Sequence, residues 1–327
     1  MKAVRINQPG GPDQLVMGEY PTPEPTDNEL LVRVKATALN RADIMQRQGK
    51  YPPPSGASPL LGLEMAGVVE EVGENCQGWR KGDRVFGLLP GGGYAEYAVI
   101  PGAMAMPLPE NLSYEEAAAI AEVFLTAYQA LFWIGRLEQG DRVLIHAGAS
   151  GVGTAAIQLA KEAGAFVAVT AGSEEKLIAC RELGAGIGFN YKAGPFAPGL
   201  KETLGEQGVN LILDFVGAPY WEQNMDSLAL DGRLVLISTL GGAKVESISL
   251  APLLMKRIQV TGTTLRSRSL SYKTQLSRDF MEKALPLFAE GRLKPIVDRI
   301  YSWAGVQEAH RHMEANKNVG KVILRID

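Results

Sequence analysis

The chain has 327 residues, of which 46% are hydrophobic and 21% charged, with a formal net charge of −3. That length accommodates two domains, and the composition is ordinary for a globular chain, not a disordered or fibrous one. The acidic balance excludes nucleic acid as an expected main partner, and Cys76 and Cys180 alone build neither a disulfide framework nor a zinc cluster of cysteines.

The start, Met1-Lys2-Ala3-Val4-Arg5, leads straight into strand-like sequence. No signal peptide and no 18-residue apolar span is read, so a cytoplasmic protein without a membrane partner is expected. Residues 30–35 alternate apolar and polar, and 67–73 and 83–87 are short strands bounded by turn residues. Proline is dense at Pro21, Pro23 and Pro25 and again at Pro52, Pro53 and Pro54. Many short strands with Gly/Pro turns predict a β-rich, partly barrel-like domain. Ser113-Tyr114-Glu115-Glu116 reads as a capping box, opening helical sequence to about Ile134.

A different texture follows. Residues 142–147 form a compact apolar run, then comes Gly148-Ala149-Ser150-Gly151-Val152-Gly153, then an amphipathic helical pattern over 154–161. A strand, a glycine-rich turn and a helix in that order build a dinucleotide site. The glycines let the backbone approach a pyrophosphate, and the N–H groups of the helix start point at the anion. Ser150 stands where the usual G-x-G-x-x-G has its second glycine, so the surrounding pattern must carry the reading. It does. Gly164 suits a helix C-cap before a strand over 165–171, Ser173 caps a helix over 174–183, and 209–214 and 233–238 are further strands. Alternating strands and helices imply a doubly wound parallel sheet, an α/β Rossmann domain. Residues 258–265 form a strand at its edge. Beyond, 277–288 and 304–316 read as helices and 320–324 as a closing strand. The expected layout is a β-rich domain made from both termini, 1–123 and 266–327, around a Rossmann domain over 124–265.

The end of the second Rossmann strand selects the cofactor. An acid there would hold the ribose 2′-hydroxyl of NAD. Ala171-Gly172-Ser173 offers none, and Lys176 follows one helical turn later, which favours the 2′-phosphate of NADPH. Ser173 also fits a plain helix cap and Lys176 a solvated surface charge, and Glu174 and Glu175 count against a phosphate.

Several stretches carry a family resemblance over the whole length: Ala38-Leu39-Asn40-Arg41-Ala42-Asp43, Gln46-Arg47-Gln48-Gly49-Lys50-Tyr51, Leu61-Gly62-Leu63-Glu64, His146 to Gly153, Met313-Glu314-Ala315-Asn316-Lys317-Asn318 and Gly320-Lys321. The chain resembles the zinc-free quinone oxidoreductases of the medium-chain dehydrogenase/reductase superfamily, nearest the stress-inducible, tumour-suppressor-induced branch, where Ser150 is ordinary. The resemblance implies a GroES-like catalytic domain plus the Rossmann domain, with the active site in the cleft between them.

Zinc alcohol dehydrogenases of that superfamily bind metal through a Cys, a His-Glu pair and a later Cys or Asp. Here the first position is Asn40 and the His position Leu63, leaving Glu64 alone, so no metal is expected. His310 and His312, at i and i+2, do not share a helix face and make a poor metal pair. Without a Lewis acid, an acceptor that takes hydride readily is the natural substrate, a quinone or a conjugated enone, and the protein's share is to place it. The resemblance puts Tyr51 at the mouth of the cleft with Asn40 and Asp43 beside it. Tyr51 is read as a substrate-orienting donor, Asn40 as a polar wall, and Asp43 as a third candidate catalytic residue or a partner of Arg41 or Arg47. A packing role for Tyr51 on its proline-rich loop fits equally.

Cofactor contacts are carried over position by position: Gly148, Ser150, Gly151, Val152, Gly153 and Thr154 at the pyrophosphate loop, Ser173 and Lys176 at the 2′-phosphate, and Tyr191 flanking the adenosine phosphate. Thr126, taken as the start of the helix entering the Rossmann domain, and Asn40 lie near the nicotinamide ribose. Gly217, Leu240, Leu265 and Arg266 belong to loops around the carboxamide, and Asn318 lies near the pyrophosphate or ribose. The expected activity is NADPH:quinone oxidoreduction. Rivals are an NADPH-dependent enoyl or alkenal reductase, disfavoured by the lack of a basic entry for carrier phosphates, and a crystallin-like or RNA-binding use of the scaffold. A homodimer joined at the Rossmann sheet edge is expected.

Overall fold

The computed structural model describes residues 1–327. The chain divides into two units, Met1–Leu125 with Leu265–Asp327, and Thr126–Thr264.

The first unit is built on a seven-stranded mixed sheet. Its order is Val297–Ser302, Lys321–Arg325, Glu29–Ala38, Glu64–Val72, Arg84–Leu88 and Met106–Pro107, with Tyr97–Pro101 also paired to Glu29–Ala38. Leu30, Leu31, Val32 and Val34 are buried while Arg33 is exposed, so the alternation read in the sequence holds only over Val32–Val34. The strand Lys321–Arg325 lies inside the sheet, pairing Ile323 with Ala38 in antiparallel register and running parallel to Val297–Ser302. Lys2–Ile6 and Leu15–Glu19 form a separate antiparallel hairpin.

The capping box at Ser113 forms as expected: Glu116 N donates to Ser113 Oγ at 3.2 Å and Ser113 N to Glu116 Oε2 at 2.8 Å. The helical stretch expected from there to about Ile134 is made of three pieces, Tyr114–Ala117, Ala121–Tyr128 and a π-helical turn Gln129–Ile134. Thr126 therefore sits inside a helix and does not begin one. The expectation of no 18-residue apolar span is also corrected. Tyr114–Ile134 has the length and apolarity to cross a membrane, with a mean hydropathy of 1.5, and 78% of its most apolar window is buried. Three acids at its front, Glu115, Glu116 and Glu122, mask that stretch in the sequence. Within the first unit, Phe124 packs on Phe288, their ring centres 4.9 Å apart.

The helix expected over 277–288 runs Leu270–Lys283, and a short second helix covers Leu285–Ala289. Ser269 caps the first, accepting from Tyr272 N at 3.2 Å, so its polar opening turn carries no apolar periodicity to read. Pro286 forces the break. The helix expected over 304–316 is Val306–Glu314.

The second unit is a six-stranded parallel sheet in the order Ile187–Asn190, Phe166–Ala171, Arg142–Ile145, Val209–Asp214, Leu228–Leu236 and Gln259–Gly262. That order, growing both ways from Arg142–Ile145, is the doubly wound Rossmann arrangement. The strand expected over 233–238 begins earlier, because Asp231 enters the left-handed region at φ 60° before Gly232 and reads as a turn while the strand runs on. The edge strand is shorter than expected, four residues, all exposed.

Candidate active site

In the second unit, the strand Arg142–Ile145 delivers the chain to the glycine-rich turn, and Ala147, at φ 49°, bends it out of the sheet. The helix Gly151–Glu162 then starts with Ser150 as N-cap, its Oγ accepting from Gly153 N at 3.1 Å. Thr154 N makes the first intrahelical bond, to Ser150 O. The Gly151 and Val152 N–H groups are thus left for an outside acceptor, on partly exposed residues at the positive end of the helix. That donor pair fits a pyrophosphate. Gly153 serves packing: a Cβ there would meet Ala147 O at 2.4 Å. Thr154 is buried, its hydroxyl returned to Gly151 O.

At the end of the second strand, a Cβ on Gly172 would meet the Tyr191 hydroxyl at 2.6 Å. Tyr191 thus lies against Gly172, and no acid occupies the position. Ser173 is spent on its own helix, accepting from Lys176 N at 3.4 Å and holding the Glu175 carboxyl below its usual pKa through a hydrogen bond. Glu174 pairs with Arg181. Lys176 is partly exposed. Gly217 has φ 86°, a Cβ there would meet Gly242 O at 2.6 Å, and Leu240 on the neighbouring loop is exposed.

A buried polar chain beneath these loops escapes sequence reading. Asn224 Nδ2 donates to Asp214 Oδ2 at 3.0 Å, so Asn224 Oδ1 must accept, taking the proton from His146 Nε2 at 2.7 Å. His146 Nδ1 is then the acceptor for Thr170 Oγ1 at 3.0 Å. Burial lowers the His146 pKa and keeps the ring neutral. The chain ties together the ends of three adjacent strands, which is where the loops begin.

The first unit brings Asn40, Asp43, Tyr51 and Arg266 into one cluster with Glu64, Gln46, Glu122 and Lys321. Asn40 is the N-cap of the helix Arg41–Arg47. Its side chain is fully used: Nδ2 donates to Glu64 Oε1 at 3.0 Å and Oδ1 accepts from Lys321 Nζ at 2.6 Å. Lys321 Nζ also reaches Leu39 O at 2.7 Å. Asn40 bridges Glu64 and Lys321 as a buried polar group. Asp43 does not pair with Arg41 or Arg47. Its carboxylate accepts from Asn40 N at 2.7 Å and Gly62 N at 3.0 Å, and burial outweighs those bonds to push its pKa up to about 6. Arg41 bonds Asn316, and Arg47 bonds Glu314. Asp43 is thus a structural clasp between a helix start and the strand-leading loop.

Tyr51 is half-buried, and the Arg266 guanidinium lies 5.3 Å from its ring centre. Arg266 is aimed by Pro90 O, which accepts from Nε at 2.9 Å and Nη2 at 2.8 Å, and by Gln46 Oε1 at 2.7 Å. Burial raises the Tyr51 pKa and lowers that of Arg266. Leu265 is buried, and Asn318 uses its Nδ2 on Gly320 O. His310 and His312 face apart, one buried on Arg47 and Tyr94, the other bonded to Asp298. Sequence reasoning gave no role to Gln46, Glu122 or Lys321. A lysine buried to 3% side-chain exposure has no short-range signature, since its partners lie far along the chain.

Residues 26–110 match the alcohol dehydrogenase GroES-like domain, and 151–289 match the zinc-binding dehydrogenase family. The chain is 32% identical to human quinone oxidoreductase over 99% of its own length and 97% of the relative's. Among solved structures it is similar to a protein described as an NAD-dependent alcohol dehydrogenase, with a TM-score of 0.89 at 34% identity and all of both chains covered. It is equally similar to Escherichia coli quinone oxidoreductase complexed with NADPH, with a TM-score of 0.88 at 32% identity, again covering both chains fully. The chain therefore belongs to the medium-chain dehydrogenase/reductase superfamily, and its relatives there include the quinone oxidoreductases. It is an α/β oxidoreductase built from a GroES-like and a Rossmann-like domain.

The matched family's name raises zinc, and the residues present do not fit it. Asn40 spends both ends of its amide inside the protein, Leu63 has no lone pair, and Glu64 already neutralises an ammonium 2.8 Å away. A divalent ion beside Glu64 would meet the Lys321 charge without a free donor set.

Proposed function

We propose that this protein is an NADPH-dependent quinone oxidoreductase that works without zinc. The observation that carries the reading is the Lys321 ammonium seated between Asn40 and Glu64, which removes the means of polarising an alcohol. What remains suits an acceptor that takes hydride unaided. NADPH would supply the hydride. Gly151 and Val152 would hold its pyrophosphate, and Gly172, which carries no acid, would leave room for the 2′-phosphate near Lys176. Tyr51, backed by Arg266, would orient the acceptor, a small-molecule quinone or enone. The NADPH bound by the Escherichia coli relative supports the cofactor choice.

The test is a side-by-side assay of a quinone, an enone, an enoyl thioester and a secondary alcohol, each with NADPH or NADH in its proper redox state. Quinone reduction with NADPH as the fastest pair is expected. Faster enoyl thioester reduction would move the assignment to enoyl reductases, and chelator-sensitive alcohol oxidation would overturn it.

A further inference from the structure

Two charged side chains in the first unit end in a buried atom with no partner, Glu122 Oε2 and Arg266 Nη1. Neither is a loose surface group. Arg266 is 5% exposed, and its other nitrogens are fixed on Pro90 and Gln46. The Glu122 backbone N–H donates to Glu64 Oε2 at 2.9 Å, which pins the start of the helix Ala121–Tyr128 and leaves the carboxyl with an unmet oxygen.

The charged groups around that carboxyl come from every element near it. Glu64 and Asp43 repel a negative charge there, while Lys321 and Arg266 attract one. Tyr51 and Lys273 also lie within its electrostatic reach. Burial is the largest influence and Glu64 the next, and together they push Glu122 up to about 8. A protonated Glu122 carboxyl and the unfilled Arg266 N–H, whose charge reaches that carboxyl, are two hydrogen-bond donors that lack an acceptor. A buried donor pair of that kind is completed by an oxygen from a ligand.

We propose that the Glu122 carboxyl and Arg266 Nη1 together receive the oxygen of the acceptor, and that Glu122 gives this oxygen the proton that completes its reduction. The inference rests on the quinone-reductase reading above. A hydride delivered to the quinone brings one hydrogen and two electrons, and leaves negative charge on the remaining quinone oxygen. The O–H bond of Glu122 then breaks, an O–H bond forms on that oxygen to give the hydroquinone, and the Glu122 carboxylate regains a proton from water. Arg266 holds the developing charge meanwhile.

Infrared titration of the cofactor-free protein and quinone turnover of Glu122→Gln test this together. Neutral wild-type protein should show a protonated-carboxyl band that titrates near pH 8 and is missing from Glu122→Gln. The variant should bind NADPH as wild type does, by fluorescence. Its turnover should fall roughly 100-fold, the scale of a lost general acid. Wild-type turnover should decline as pH rises through about 8, and the variant should lack that decline. A variant with the wild-type rate and pH profile overturns the proposal. So does a Glu122 carboxyl already ionised at neutral pH, a result that decides the matter even if Glu122→Gln does not fold. Wild-type protein inert toward quinones would instead sink the quinone-reductase reading, so the two failures are distinguishable.

Discussion

Lys321 and Glu64 form an ion pair, 2.8 Å from Nζ to Oε1, in which the two side chains are 3% and 0% exposed. A pair so buried is costly to assemble and more costly to break, because removing one partner strands the other's charge. Lys321→Met should destabilise the protein by about 3–5 kcal/mol in denaturant unfolding, and adding Glu64→Gln to it should recover part of the loss. A Lys321→Met protein as stable as wild type would show that Glu64 finds another counter-charge.

The same pair argues against a metal at Glu64. Purified protein should carry no stoichiometric zinc, and quinone turnover should survive chelator. Elemental analysis finding one zinc per chain, with activity lost to chelator, would refute the expectation.

Tyr51 is set against Arg266, which is itself fixed by Pro90 and Gln46. Tyr51→Phe keeps the ring on the guanidinium and removes only the hydroxyl. Quinone turnover should drop while NADPH affinity and melting temperature hold. Unchanged turnover would leave Tyr51 a packing residue.

At the second strand's end, Lys176 is the cation we propose for the 2′-phosphate. Lys176→Ala should weaken NADPH binding by about 1–3 kcal/mol, as for one charge-assisted contact, and leave NADH binding nearly unchanged. Calorimetry with both cofactors checks it, and equal losses would remove Lys176 from the site.

His310 gives a pH signature. Arg47 Nη1 can only donate, so His310 Nδ1, 3.0 Å away, is its acceptor, and the ring proton sits on Nε2. Burial, with the Arg47 charge, lowers the His310 pKa to about 3. The unfolded chain takes up this proton near pH 6.5 and the folded protein does not, so stability is full above that pH and falls as pH drops toward 3. The loss should reach about 2 kcal/mol at pH 5, from 1.36 kcal/mol per unit. His310→Gln should flatten that slope in thermal melts recorded across this range.

The edge strand Gln259–Gly262 offers unpaired backbone groups, with Leu254 and Met255 exposed just before it. The adjacent charges do not shield it. Lys256 turns back to the carbonyls of Met225, Asp226 and Leu228, and Arg257 pairs with Asp231. A second copy pairing the same strand would cover both edges by two-fold symmetry. Light scattering should give a dimer, and Gly262→Pro should yield monomer or insoluble protein. A wild-type mass of one chain would refute the dimer.

The Rossmann unit was legible because its signals are local. The run at 209–214 is the strand Val209–Asp214, the helix over 174–183 is Glu174–Leu183, and Ser113 and Ser173 cap where hydroxyls before acidic turns should. The polar cluster was half legible. Asn40, Asp43 and Tyr51 stand close together in sequence and could be named, but their roles depend on what crosses to them. For Asp43 the nearby arginines suggested a salt bridge, whereas its place in the first helical turn brings it the Asn40 N–H, and the distant Gly62 brings a second. Lys321 reaches Asn40 only because Ile323 pairs with Ala38 across the sheet, a register no short-range pattern announces.

The strand Lys321–Arg325 enters the interior of a sheet whose other strands, apart from Val297–Ser302, are translated before the Rossmann unit begins. During synthesis, Glu64 must therefore wait for its counter-charge until residue 321 is made, and the inserted Rossmann unit can close first. The first unit is thus completed after the unit inserted into it, and Lys321 brings Glu64 its counter-charge only when that late strand is added. Ribosome-stalled chains released before residue 321 should expose the N-terminal segment to protease while residues 126–264 resist.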